Sequence, residues 1–315
     1  MPSYSGVWTL TAQYQAKGGG QWNPPGPPAY GVFAGGYDNA GGTFYNTIDY
    51  VNIATTGNAT DFGDLTATRA KLAGCGSASR GLFGGGINSG STAINIIEYI
   101  TFATASNSTD FGDLTLAQSR LAACSSSTRG IFAGSEAGPS NVISYVTIAS
   151  VGNATDFGDL TTGIYALAGC SSPTRGLFGG GKDVSDVTTS SITYITIAST
   201  GNTTTFGNLT TARTRLSACS SSTRGLFLGG ESNVIDYVTI ASTGNATDFG
   251  DLVSSTSDAA GCSSDTRGLV GGGSGPTNVI QYVTIATAGN ATSFGQLTVA
   301  RGQLGACSNA SGGVQ

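Results

Sequence analysis

The side chains able to do chemistry are six cysteines, 18 aspartates and glutamates and 13 lysines and arginines; none of the 315 residues is histidine. A Ser-His-Asp hydrolase, a histidine-ligated zinc or copper site and any imidazole general base are therefore excluded for this chain alone. Thiol and carboxylate chemistry remain. Cys75, Cys124, Cys170, Cys219, Cys262 and Cys307 are separated by 49, 46, 49, 43 and 45 residues, one per repeat of a longer pattern. Equivalent positions on the inner strands of a ring lie farther apart than the roughly 4 Å between thiolates sharing a zinc at about 2.3 Å. They also exceed the Cα separation of about 5.5 to 6 Å that suits a disulfide. The expectation is six buried, reduced cysteines serving as small hydrophobes in a structural repeat, with no metal and no other cofactor. Carboxylate catalysis would draw on Asp38, Glu136, Asp183 or Glu231, and would need two of them about 5 to 9.5 Å apart.

Those residues hang on a repeat, clearest as NVIDYVTIASTGNATDFGDL from Asn233 to Leu252. Its tyrosine recurs at Tyr50, Tyr99, Tyr145, Tyr194, Tyr237 and Tyr282; a phenylalanine follows 12 residues later and the cysteine 13 after that. Six residues beyond the cysteine a glycine opens an apolar run such as RGLFGGG at Arg80. Each unit offers four short β-prone runs separated by turn residues: A (LAGCSS), B (RGLFGGG), C (NVIDYVTIA) and D (TDFGDLT). Four strands per 43 to 49 residues is the arithmetic of a β-propeller blade. Along strand C, Ile235 and Tyr237 point one way and Val238 and Ile240 the other, as expected of a blade sandwiched between neighbours. The last copy ends with a strand A around Cys307, and the first begins with strand B at Tyr30. Pairing them completes a sixth blade and removes an exposed edge. The expected fold is all-β: a six-bladed β-propeller of four-stranded blades over residues 30–315, the C-terminal strand A closing the blade begun by the N-terminal strands B, C and D.

The run RAKLAGCGSASRGLFGGG at Arg69, with a strand ending in GG, an aromatic, and LT followed by an arginine, resembles the kelch repeat. That resemblance implies that A is the innermost strand and D the outermost. Phenylalanine stands where kelch has tryptophan, and the step from Tyr50 to Phe62 is longer than in kelch. The GNATDFGDLT element and the opening YSGVWTLTAQYQAKGGGQW are similar to kelch-like virion structural proteins of marine bacteriophages. The similarity implies a non-enzymatic tail- or capsid-associated protein, made in the host cytoplasm and carried on the virion. Its partners would be other virion proteins and a host surface glycan or receptor.

Composition agrees with strands and tight turns: 50 glycines, 39% hydrophobic and only 10% charged residues. A net charge of -5 and a pI near 4.6 argue against nucleic acid and acidic membrane partners. No stretch approaches the roughly 20 apolar residues of a membrane helix, and the N-terminus lacks the pattern of a signal peptide. GLFGGG at Gly81 has no helix after it and so is not a phosphate loop. Asn-x-Ser/Thr sequons recur in the C–D turn, where asparagine suits the turn. The arginines Arg80, Arg129, Arg175, Arg224 and Arg267 share a face with Asp61, Asp110, Asp156 and Asp248, an arrangement open to inter-blade ion pairs.

From each tyrosine to the next B-strand glycine the spacing is constant, so all length variation falls in the B–C loops. Variable loops on a rigid scaffold are where binding concentrates. The candidate binding residues are Tyr37, Asp38, Phe44, Tyr45, Glu136, Lys182, Asp183, Asp186 and Glu231; aromatics beside carboxylates suit a sugar ring or a protein anchor. Residues 1–29 lie outside the repeat and hold Trp8, Tyr14 and Trp22 ahead of a PPGPP run. They read as a docking arm, or else as a strap packed on the propeller.

Overall fold

The computed structural model describes residues 28–137, 140–275 and 277–310. Trp8, Tyr14 and Trp22 lie outside them. The six four-stranded sheets are the blades, each antiparallel throughout and ordered A-B-C-D. In the first blade Gly305–Ser308 pairs with Tyr30–Ala34, followed by Thr47–Asn52 and Thr60–Asp64, with Gly31 opposite Ser308 and Ala34 opposite Gly305. The C-terminal strand thus closes the blade that the N-terminal strands begin. The other five blades are continuous in sequence; in the fourth they are Ala168–Ser171, Arg175–Gly179, Ser191–Thr196 and Thr204–Asn208. The A strands touch one another in order around the axis, and Gly305–Ser308 meets Ala73–Gly76 to complete the circle.

Strand C is buried on both sides because each side meets a different blade. Ile235 and Tyr237 pack with Val270 and Val283 of the sixth blade, while Val238 and Ile240 pack with Leu177 and Phe206 of the fourth. Burying such side chains yields about 1.5 to 3 kcal/mol each, so the inter-blade faces form the core. The cysteines belong to it. All six are free and buried, and each sulfur seats against the B-strand glycine of the following blade: a Cβ on Gly176 would lie 2.5 Å from Cys124 Sγ, and one on Gly268 2.4 Å from Cys219 Sγ. This explains why cysteine and glycine recur at one fixed spacing. Gly176→Ala is expected to cost about 1 to 3 kcal/mol by overpacking, measured by chemical denaturation, and adding Cys124→Ala should restore most of it. A double variant as unstable as the single would show that the sulfur is not the obstacle.

Near the axis the A strands alternate Gly74, Ala123, Gly169, Ala218, Gly261 and Ala306. A Cβ on Gly169 would come within 2.6 Å of the Ala123 carbonyl oxygen, so every second blade gives up its methyl to let its neighbour in. Such an alternation closes only with an even number of blades.

The C–D turn is an inter-blade clasp. Each sequon asparagine accepts, on Oδ1, a backbone N–H from the preceding blade's strand D, as in Asp113 to Asn153 at 3.0 Å and Gln296 to Asn58 at 3.1 Å. Gly63 of TDFGD lies against the next turn so closely that a Cβ would sit 2.6 Å from the Ser106 backbone. The arginines of the A–B turn do not pair with the nearby aspartates. Arg80 lies 4.8 Å over Tyr99 and donates to the Ile148 and Ala149 carbonyls of the next blade at 3.0 Å each. Arg129, Arg175, Arg224 and Arg267 repeat this. Backbone carbonyls are already fixed by the turn, whereas an exposed aspartate would lose rotamer freedom to join the pair.

Candidate functional site

The B–C loops gather at one end of the ring, around the mouth of the axial channel. Its floor is made by one residue from each blade, four positions before the cysteine: Lys71, Arg120, Ala166, Arg215, Asp258 and Gln303. All six have left-handed backbones, with φ between 51° and 59°, which costs a non-glycine residue energy unless the surroundings enforce it. Here a closed circle of backbone hydrogen bonds does so. Lys71 N–H donates to Gln303, Arg120 to Lys71, Ala166 to Arg120, Arg215 to Ala166, Asp258 to Arg215 and Gln303 to Asp258, at 2.7 to 2.9 Å.

The side chains on this circle form a charged network. Arg120 of the third blade reaches across the axis to Asp258 of the sixth, Nη1 to Oδ1 at 2.7 Å, with the two side chains 9% and 8% exposed. Ser274 Oγ donates to the other Asp258 oxygen at 2.9 Å. Glu136 receives Lys71 Nζ at 2.7 Å and lies 3.2 Å from Arg120 Nε. Glu231 faces Arg215 at 3.4 Å, and both are exposed, so this pair contributes little. The cavity at the mouth is about 70 Å³, well below the roughly 300 to 1,000 Å³ of small-molecule sites.

Of the residues expected on this face, Glu136 and Glu231 are drawn to the mouth. The others stay on their own loops. Tyr37 and Phe44 meet at 4.7 Å, their rings tilted by 52°, across a short hairpin that pairs Asp38 with Thr43. Asp38 Oδ1 accepts the Ala40 N–H at 2.8 Å, and Tyr45 donates its N–H to the Gly36 carbonyl. Asp183 caps its turn by accepting the N–H groups of Ser185 and Val187 at 2.8 and 3.0 Å. Asp186 takes Lys182 Nζ at 3.0 Å and the Tyr165 hydroxyl. The hydrogen bond to Asp186 pushes the Tyr165 phenol up to about 12, and Tyr165 and Lys182 hold the Asp186 carboxyl below its usual range. These carboxylates are each committed to a turn or a cation. Among the described residues no group of three His, Cys, Asp or Glu side chains could hold a metal ion. A larger cavity of about 360 Å³ lies on the opposite face, beside Tyr282, Thr284, Thr287 and Asn290, and no charged group lines it.

Sequence reasoning missed Lys71, Arg120, Arg215 and Asp258. The signal was present: four residues before each cysteine the type runs Lys, Arg, Ala, Arg, Asp, Gln, a change of charge inside the segment whose length never varies. No protein-family model matches the chain, and no curated protein matches it.

Proposed function

We propose that the protein is a non-enzymatic interaction scaffold, a kelch-like propeller of a phage virion that attaches through one face and displays the other. The observation that carries this reading is the separation of the two ends of the ring. The chain enters the propeller at Pro28 to Tyr30, tied to the last strand by Tyr30 N–H to Asn309 Oδ1 at 2.7 Å and Asn309 Nδ2 to the Pro28 carbonyl at 3.1 Å. That is the A–B turn face, opposite the variable B–C loops. An arm of residues 1–29 rooted there would hold other virion proteins, leaving the B–C face pointing outward. The engaged carboxylates and the small mouth support binding over catalysis. Tail and capsid are equally suited to such a part.

A second reading, a lectin-like propeller holding a host surface glycan on the B–C face, is favoured by the Tyr37–Phe44 aromatic pair beside Asp38. A glycan array separates the two ligand classes. For the scaffold reading, deleting Met1 to Pro27, which spares the Pro28 carbonyl bonded to Asn309, is expected to leave circular dichroism and the melting temperature unchanged while removing the protein from purified virions. Incorporation of the shortened chain at normal copy number would refute attachment through the arm.

A further inference from the structure

The seams between blades are built alike, with one exception. At five seams the residue before the A–B turn is a serine whose hydroxyl donates to a carbonyl of the preceding blade's inner strand, as in Ser125 to Gly76 at 2.7 Å and Ser171 to Ser125 at 2.7 Å. At the seam between the first and second blades this position is Gly76, and among the described residues no hydroxyl donates to the Ser308 carbonyl. At five seams an arginine bridges to two carbonyls or one in the next C–D turn. The first blade has Tyr30 there, set edge-on to Tyr50 at 5.6 Å, and among the described residues no side chain donates to the Phe102 or Ala103 carbonyl. At five seams a glycine N–H in the C–D turn donates to the phenylalanine carbonyl of the preceding blade, as in Gly152 to Phe111 at 2.8 Å. The second blade has Ser106, and among the described residues its N–H makes no such bond to Phe62.

All three missing bonds belong to the same seam and the same face. The rest of that seam is well held. Glu98 takes Arg69 at 2.7 Å and the Thr66 and Ser108 hydroxyls, and Lys71 N–H donates to Gln303; on the A–B face the Asp64 N–H to Asn107 at 3.0 Å and the Ser108 N–H to Asp64 at 2.9 Å are the bonds an opening must break. The chain itself passes between these two blades at residues 65–72, on the B–C face.

We propose that the ring opens at this seam, gaping on the A–B face and hinging on the 65–72 link and the Glu98 hub. No strand ladder breaks in this motion, because the seam lies between sheets. The closure of the first blade, where the C-terminal strand pairs, is therefore not the place where the ring yields. The arm root at Pro28 stands on the same face and in the same blade, two residues before Tyr30, whose ring packs into this seam.

Hydrogen exchange of the full chain tests this, because local opening sets the exchange rate of the amides it exposes. The Ser108 N–H, bonded across the seam to the Asp64 carbonyl at 2.9 Å, has its counterpart in the Ala154 N–H, bonded to Asp113 at 2.7 Å. Exchange at Ser108 and Asp64, whose N–H groups are bonded across the seam, is expected to be about tenfold faster or more than at Ala154 and Asp113. Tyr30→Arg, which supplies the missing guanidinium, should slow it toward the level of the other blades. Equal protection around the ring in the unmodified protein overturns the proposal, whether or not the variant folds.

Discussion

Replacing Asp236 with alanine is expected to destabilise the protein by about 3 to 5 kcal/mol, because it strands a buried guanidinium. Arg213 and Asp236 meet at 2.6 Å with side chains 3% and 0% exposed. Arg213 also donates to the Gly229 and Val234 carbonyls at 2.7 Å, and Asp236 receives the Thr210 N–H and hydroxyl at 3.0 and 2.6 Å. The same clamp recurs as Arg69 with Glu98 and Arg301 with Asp49. Burial pushes the Arg69 and Arg301 guanidinium groups down, and the facing carboxylate opposes that fall. The other three seams carry Gln118 with Ser144, Ile164 with Thr193 and Thr256 with Gln281 at these positions. Arginine and acid come and go together. The chain thus supplies its own control: Arg213→Ile combined with Asp236→Thr copies the pair between the third and fourth blades, and it should recover more than half of the loss. Urea denaturation of the two single variants and the double decides it; a double variant no better than Asp236→Ala would show that the stranded charge is not the cost.

Alkaline pH should unfold the protein abruptly, and the cysteines set where. Burial pushes the thiols of Cys75 and Cys219 up to about 12 and raises the other four as well. In the unfolded chain a thiol titrates near pH 8.5. Their stabilising effect is therefore complete below that pH and lost as pH rises toward the folded values, since the unfolded state sheds protons that the native state keeps. One such thiol lowers stability by about 1.4 kcal/mol per pH unit in that window, and six together by about 8. Against a domain stability of roughly 5 to 15 kcal/mol, unfolding should come within one or two units above pH 9. Urea midpoints measured from pH 7 to 11 check this, and replacing Cys124 and Cys219 by alanine should remove about a third of the slope. Alkylation at pH 8 should label no thiol in the native protein and six in denaturant. A shallow pH dependence with full native labelling would mean that the sulfurs are not sealed between blades.

The arginine and acid clamp and the charged mouth show where a repeat is legible and where it is not. The clamp is written in the sequence as paired changes at fixed positions, LT with arginine in one blade and a carboxylate in the next. The turn aspartates Asp38 and Asp183 looked like binding groups, yet short-range backbone donors claim them first. The A–B arginines had aspartates nearby in sequence terms, but fixed carbonyls in the next blade are the better partners.

The amino-acid sequence alone determined the number of blades, their four strands and the exchange of strand between the two ends, because a constant spacing repeats one local solution six times. It also placed the loops that differ on a single face. Only the tertiary structure decided what those repeats do to one another. Closing six blades brings the third opposite the sixth, so Arg120 meets Asp258 across 138 residues of chain. It also brings three departures from the repeat, Tyr30 of the first blade and Gly76 and Ser106 of the second, to one seam, which among the described residues lacks the bonds its five equivalents make. Both follow from ring geometry, which fixes distances between blades that no spacing along the chain encodes.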